Sequence, residues 1–262
     1  MTSTSLRRIN RYGLALAGLL AGASGCNRQQ TAQVVQGDCR SVHGANVCTW
    51  GETTGRAVTA FGVTVPIAVI ENAPADAPMV WPPAATATIP LPASIASATG
   101  FKVMTMYWEA HGHPPGAYLV PHFDFHFNTL SASDLAAIDC ADVTKPAQAP
   151  AAYELPDVAI PQLGTLVGLC VPSMGMHAAP AAELKSSAFQ KTMIVGYYKA
   201  KPIFVEPMIA RATLLEKRNF TLDVPDVPNR PAGERYPTAF RADYDAATQS
   251  YRLVFSLPAG AQ

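Results

Sequence analysis

An alternating run of polar and aromatic residues is the clearest chemical signature of this chain. Residues 121–127 read Pro-His-Phe-Asp-Phe-His-Phe. Successive side chains of a β-strand point to opposite faces, so His122, Asp124 and His126 share one face and the phenylalanines share the other. Imidazoles and carboxylates are ligands that zinc and other divalent transition metals prefer. The run therefore predicts a metal site on a strand whose other face is buried in a core.

Two further residues extend this site. His177 lies in a loop shortly after Cys170, and Glu206 is a carboxylate in an otherwise apolar strand. A buried carboxylate needs a partner, and a cation is a suitable one. We expect a divalent transition metal, zinc before others, and Glu206 as the candidate catalytic base. The expected ligands are His122, Asp124, His126 and His177, with His111 and His113 as possible additional ligands or pocket residues.

The spacing of the strand limits how these ligands combine. His122 and His126 would be about 13 Å apart along an ideal strand, which is too far for one ion. Either a β-bulge near Pro121 shortens this distance, or one adjacent pair binds the ion and the third residue supports it through a hydrogen bond. Three protein ligands would leave an open position, as catalytic zinc sites require. The competing interpretation is an Asp–His hydrogen-bond ladder without metal.

Other common catalytic and binding signatures are absent from the sequence. There is no Gly-x-Ser-x-Gly nucleophile motif, no phosphate-binding glycine loop and no dinucleotide fingerprint. The chain has 19 basic and 19 acidic residues and no cluster of Lys and Arg. This balance argues against nucleic-acid binding, which needs a strong positive surface.

The N-terminus predicts export. Arg7, Arg8 and Arg11 precede an apolar segment, residues 13–22, that is too short to span a bilayer. The following Ala-Ser-Gly-Cys ends at Cys26 and resembles the site at which bacterial lipoproteins are cleaved and acylated. We therefore expect a lipoprotein-type signal peptide over residues 1–25 and a membrane anchor on Cys26, in the periplasm or cell envelope. Residues 26–37 are predicted to be a polar tether, and residues 38–262 a single β-rich domain.

The remaining cysteines agree with export. Cys39, Cys48, Cys140 and Cys170 form an even set, and an oxidising compartment favours disulfides. The most economical pairing in chain order is Cys39–Cys48 and Cys140–Cys170. No Cys-x-x-Cys spacing supports metal ligation by these residues instead.

Short segments bounded by proline and glycine predict a mainly β fold. We expect an antiparallel β-sandwich or jelly-roll-like core with a few short peripheral helices. Pro121 cannot donate to a strand ladder, so the metal-site strand is expected at a sheet edge or at a bulge. Individual predictions include a strand over 63–71, a capped helix over 131–138, a helix over 180–187 and a hairpin formed by 191–198 and 202–208.

Four segments of the chain also resemble a known group of proteins. These are residues 111–115, 121–127, 171–177 and 204–208, within a region of about 55–225. They resemble a bacterial domain family of unknown function, typified by an uncharacterised Thermus protein under extracytoplasmic sigma-factor control. The resemblance implies a β-rich fold and a ring-like homo-oligomer, and the family has no established activity.

Two functions fit these observations. The first is an exported metalloprotein in which the ion polarises a carbonyl or acidifies water. The second is a non-enzymatic, oligomeric envelope or stress-related binding protein, in which the same polar cluster is structural or holds a small ligand.

Overall fold

The computed structural model of the protein describes residues 1–2, 31–161, 163–186 and 189–258. The chain divides into two units, Met1–Gln30 and Thr31–Gln262, and every element given below belongs to the second. Apart from residues 1–2, the predicted signal peptide falls outside the described residues, and so does the predicted acylation site Cys26.

Most regular structure in the described part of the chain is strand. The strands are β1 (Ala32–Val42), β2 (Ala45–Thr54), β3 (Ala57–Pro66), β4 (Ala87–Pro90), β5 (Val103–Glu109), β6 (His122–Asn128), β7 (Tyr153–Glu154), β8 (Val158–Ile160), β9 (Gly164–Leu166), β10 (Met176–Pro180), β11 (Lys191–Tyr198), β12 (Lys201–Ala210), β13 (Phe220–Leu222), β14 (Ala239–Asp245) and β15 (Ser250–Ser256).

The helices are short. They are α1 (Ile67–Glu71), α2 (Ala93–Thr99), α3 (Ala132–Ala136) and α4 (Arg211–Leu215), with 3₁₀ turns at Gly116–Tyr118, Val167–Leu169 and Glu183–Lys185. Across the described ranges, no helix has both the length and the apolar character needed to cross a membrane.

The strands form two large antiparallel sheets and one small one. The first sheet has the order β1-β2-β3-β15-β14-β13, and the second has the order β4-β5-β6-β12-β11-β10-β7. Strands β8 and β9 pair with each other. This arrangement confirms the predicted mainly β, antiparallel sandwich.

Aromatic side chains join the two large sheets. The ring of Phe61 on β3 lies 5.7 Å from that of Phe127 on β6, and Phe127 lies 5.1 Å from Phe255 on β15. All three side chains are fully buried and belong to one continuous hydrophobic core. The second sheet thus turns the phenylalanine face of β6 inward, and its other face is available to build a site.

Strand β6 is central in its sheet, contrary to the predicted edge position. It pairs with β5 on one side and with β12 on the other. Pro121 causes no conflict, because the strand begins one residue later, at His122. No bulge interrupts the β5–β6 register, so the alternation of residues 122–128 is regular.

Three other local predictions need correction. Residues 32–37, predicted as part of the tether, form the first half of β1 and pair with β2. The predicted strand over 63–71 ends at Pro66 and continues as helix α1. Of the predicted helix over 180–187, the described residues 180–186 contain only the 3₁₀ turn Glu183–Lys185, since residue 180 completes strand β10.

The predicted capped helix is present as α3. The hydroxyl of Ser131 accepts a hydrogen bond from the Asp134 backbone N–H, and the Asp134 carboxylate accepts one from the Ser131 N–H. This reciprocal capping box satisfies two donors that the helix start would otherwise leave free. Buried Leu135 then packs with Ile138 beneath the helix.

Loss of this cap should lower the stability of the protein measurably. Ser131→Ala removes the acceptor for the Asp134 N–H, and such changes destabilise proteins by about 1 kcal/mol. For a chain of this size we expect the melting temperature to fall by about 2–4 °C. Ser131→Thr keeps the hydroxyl and should melt within a degree or so of the wild type, and an equal loss in both variants would argue against the capping bond.

Candidate metal centre

The polar face of β6 is covered rather than open to water. His122, Asp124 and His126 are all buried. The register places Glu109 of β5 opposite His122, and Tyr107 opposite Asp124. Because directly opposed residues in a sheet share a face, these side chains converge on the same side as the histidines.

The first group of potential ligands is His113, His122 and Asp124. Each offers one ligand atom, and the three atoms lie within 4.8 Å of one another. The Nε2 atom of His122 is 3.2 Å from Asp124 Oδ1, and that of His113 is 3.8 Å from Asp124 Oδ2. His113 reaches this position from the loop that joins β5 to β6.

The second group is His126, His177 and Glu206, whose ligand atoms also lie within 4.8 Å of one another. His126 Nε2 is 3.3 Å from Glu206 Oε1, and the rings of His126 and His177 are 5.7 Å apart. The three residues are 2%, 9% and 1% exposed, respectively. They come from β6, β10 and β12, so strand pairing holds all three.

Backbone carbonyls orient three of the histidines. The Nδ1 atoms of His113, His122 and His177 are 2.8, 2.7 and 3.0 Å from carbonyl oxygens of Pro114, Val120 and Leu169, respectively. A carbonyl can only accept, so each Nδ1 carries the hydrogen, and in a neutral ring Nε2 then has a free lone pair. Metal-binding histidines are held in the same way, with one nitrogen donating to the protein and the other facing the ion.

Burial and neighbouring charges shift the pKa values of the three side chains in the first group in different directions. Burial would raise the pKa of Asp124, but the neighbouring imidazoles of His122 and His113 outweigh it and hold that pKa at about 2. Burial lowers the pKa of His122 to about 4, more than Asp124 raises it. Burial would also lower the pKa of His113, yet its contact with Asp124 raises that pKa to about 9. Without a metal ion, a charged His113 therefore faces an ionised Asp124 at neutral pH.

Burial disfavours the charged forms of His177 and Glu206 in the second group. Burial and the nearby His126 lower the pKa of His177 to about 3. Burial raises the pKa of the Glu206 carboxyl, although His126 opposes this shift. One carboxylate oxygen, Oε2 of Glu206, is buried and has no hydrogen-bond partner in the described part of the chain. A cation would stabilise the ionised form of this carboxylate and use its unpartnered oxygen.

A close aromatic contact fixes the position of His126. The ring of Phe204 stacks on His126 with centroids 4.5 Å apart and lies 5.2 Å from the His177 ring. Phe204 also lies directly over Gly196 on the neighbouring strand, where a Cβ atom would come within about 1.9 Å of a Phe204 ring carbon. Glycine is therefore required at position 196 for the ring to lie against both imidazoles.

Both groups border one small cavity. Its volume is about 40 Å³, and His113, Asp124, His126, His177 and Glu206 all line it. A water molecule needs roughly 10–15 Å³ of such space, so the cavity has room for about three occupants of that size. Among the described residues that line it, none is a lysine or an arginine.

Glu109 also lines this cavity, and the sequence interpretation missed it. Burial raises the pKa of Glu109 to about 7, and the negative charge of Asp124 adds to the effect. In the sequence Glu109 stands two residues before His111, but no motif assigns it to the site. Only the register with β6 shows that this carboxyl faces the histidines.

The predicted site residues are thus arranged differently from the expected single centre. The structure divides His122, Asp124 and His126 between the two groups, as their regular spacing requires. Glu206, predicted as the catalytic base, lies among the potential ligands of the second group. His111 belongs to neither group, and its Nε2 lies 3.1 Å from the Ala77 carbonyl.

Both predicted disulfides, Cys39–Cys48 and Cys140–Cys170, are present. They indicate a non-reducing environment. Cys140–Cys170 also supports the site, because Cys170 follows Leu169, whose carbonyl orients His177. A backbone bond from Ser173 to the Ile138 carbonyl holds the same segment against the region after α3.

Comparison with models of known protein families, with curated proteins and with solved structures finds no match to this chain.

Proposed function

We propose that this protein is an exported, lipid-anchored metalloprotein that binds a divalent transition metal, zinc before others, at His126, His177 and Glu206, and that it catalyses hydrolysis. The observation that carries the proposal is the second group itself. Two buried imidazoles and a buried carboxylate converge there, and one oxygen of Glu206 has no hydrogen-bond partner among the described residues.

The ligand set is that of a catalytic rather than a structural site. Three protein ligands leave at least one position open, and the cavity has space beside them. The chemistry that a divalent ion supplies in such a site is polarisation of a carbonyl oxygen and acidification of water. Glu109, which lines the same cavity and lies opposite His122 in the β5–β6 register, is the candidate general base.

A larger cleft offers a route for the substrate. It has a volume of about 230 Å³ and shares Glu109 and Pro83 with the metal cavity. Apolar side chains such as Trp108 and Met79 line much of it. A substrate with an apolar portion beside its scissile carbonyl would match this lining.

The cellular setting is part of the same proposal. Arg7, Arg8, Arg11 and the segment before Cys26 support a lipoprotein-type signal, and the two disulfides agree with an oxidising compartment. Membership of the resembled bacterial family and a homo-oligomeric state also remain proposals, supported by the four sequence segments described above.

Metal content tests the proposal. Untagged protein should retain zinc or another first-row metal after dialysis, measured by elemental analysis. His177→Ala should lower metal affinity by more than about 100-fold, because even loss of a hydrogen bond to a ligand costs about 10–100-fold. His111→Ala, outside both groups, serves as the matched control and should retain the wild-type metal. Equal metal in the wild type and in His177→Ala would contradict the proposal.

One observation favours the non-enzymatic alternative. His113 and Asp124 can satisfy each other as an ion pair without metal, since the pKa of His113 is raised and that of Asp124 is lowered. If the whole cluster is structural in this way, the purified protein would contain no metal, and chelators would not change its melting temperature.

A further inference from the structure

The first group of potential ligands has an unpartnered pair of atoms at its centre. His122 Nε2 and Asp124 Oδ1 are buried, have no hydrogen-bond partner among the described residues, and lie 3.2 Å apart. The His122 Nδ1 hydrogen is already donated to the Val120 carbonyl at 2.7 Å. In the neutral ring, two acceptor atoms therefore face each other at close range, which is unfavourable unless a cation joins them.

His113 completes this arrangement. Its Nε2 is 3.8 Å from the other oxygen of Asp124, and its Nδ1 donates to the Pro114 carbonyl. The His113 and His122 rings are 4.8 Å apart and nearly perpendicular, so both Nε2 atoms approach the same carboxylate. Two imidazoles and one carboxylate again present a set of three ligands.

The two groups are neighbours on one strand. Asp124 and His126 are alternate residues on the same face of β6, which places their Cα atoms about 6.7 Å apart. Residues of both groups line the same cavity of about 40 Å³. Three carboxyl groups border it, from Glu109, Asp124 and Glu206, and no lysine or arginine does so among the described lining residues.

We infer that the protein binds two divalent metal ions, the second one at His113, His122 and Asp124. This inference depends on the proposed function, because it adds an ion beside the one at His126, His177 and Glu206. The positive charge of two ions would offset the negative charge of the three carboxylates that border the cavity. The chemistry that a second divalent ion would supply beside the first is further stabilisation of negative charge on a reacting oxygen.

The test is the number of ions bound by the mature protein. Stripped protein is titrated with zinc in a calorimeter, and the bound metal is counted by elemental analysis after dialysis. We expect two zinc ions for each wild-type chain, one for His122→Ala and one for His177→Ala. The double variant should bind none, and the His111→Ala control should bind two.

Cobalt provides a second measurement that does not depend on activity. Two Co²⁺ ions bound in one cavity should show magnetic coupling in the electron paramagnetic resonance spectrum, and His122→Ala should lose it. Circular dichroism establishes that each variant is folded. If His122→Ala fails to fold, His122→Gln keeps a polar side chain of similar reach and takes its place.

The outcomes separate this inference from the proposed function. One zinc per wild-type chain, lost in His177→Ala but kept in His122→Ala, would overturn the second ion and leave the first in place. One zinc lost in both variants would show a single shared ion and would also overturn the inference. A wild-type protein that binds no zinc would remove both proposals.

Discussion

Replacing Cys140 and Cys170 together by serine should destabilise the protein and weaken metal binding at the same time. The disulfide closes a sequence separation of 30 residues. The loop-entropy relation gives such a bridge about 3–4 kcal/mol of stabilisation. For a chain of this size, the melting temperature should fall by about 6–16 °C.

Metal binding should weaken because the disulfide holds the segment that orients His177. Cys170 lies beside Leu169, whose carbonyl receives the Nδ1 hydrogen of His177 at 3.0 Å. Val171 and Met174, which follow the cysteine, line the metal cavity. Loosening this segment frees the His177 ring to rotate, and loss of such orienting contacts costs about 10–100-fold in metal affinity.

The other disulfide provides the matched control. Cys39–Cys48 links directly opposed residues of β1 and β2 and spans 9 residues, so its removal should cost about 2.5 kcal/mol by the same relation. Its two strands belong to the sheet that carries none of the proposed metal ligands. Zinc titration of both double variants should show weakened binding only in Cys140→Ser/Cys170→Ser. Equal zinc affinity in the two variants would mean that the segment at 169–175 does not support the site.

The parts of the fold that could be predicted from the sequence are those encoded locally. The alternation of residues 122–127 is complete within the strand, and the structure keeps it without interruption. The cap of Ser131 and Asp134 is encoded by two residues three positions apart. The hairpin of β11 and β12 joins two apolar segments through a two-residue connection, and it too was expected.

The parts that could not be predicted depend on pairing between distant strands. Glu109 faces His122 only because β5 and β6 adopt one particular register. Strand β1 has few buried residues, since it lies at the edge of its sheet, and its polar composition therefore resembled a tether. Pro121 suggested an edge strand because nothing in the local sequence shows that the strand begins after it.

The division of the site into two groups has the same cause. The sequence shows that His122 and His126 are too far apart to share an ion, but it does not show which residues each one meets. His113 arrives from a loop, whereas His177 and Glu206 arrive from β10 and β12. Tertiary structure thus supplies each histidine of β6 with its own partners, and the regular strand keeps the two sets apart.

A second large loss of stability is expected on the opposite face of β6, where Phe125→Ala removes a buried aromatic ring. Phe125 is fully buried between the sheets and stacks near Phe123, with ring centroids 6.2 Å apart. Truncation of a buried phenylalanine to alanine costs about 3–5 kcal/mol, because apolar contacts are lost and a cavity remains. We expect the melting temperature to fall by about 6–20 °C.

This variant also tests whether the two faces of β6 are independent. Phe125 lies between Asp124 and His126 in the chain, but its side chain points away from both. Well below the melting transition, Phe125→Ala should therefore bind as much zinc as the wild type. Leu119→Ala, at an exposed loop position, is the stability control and should change the free energy of unfolding by less than about 0.5 kcal/mol. If Phe125→Ala melted at the same temperature as this control, β6 would not be packed in the core as described. The placement of Asp124 and His126 together on its other face would then be contradicted as well.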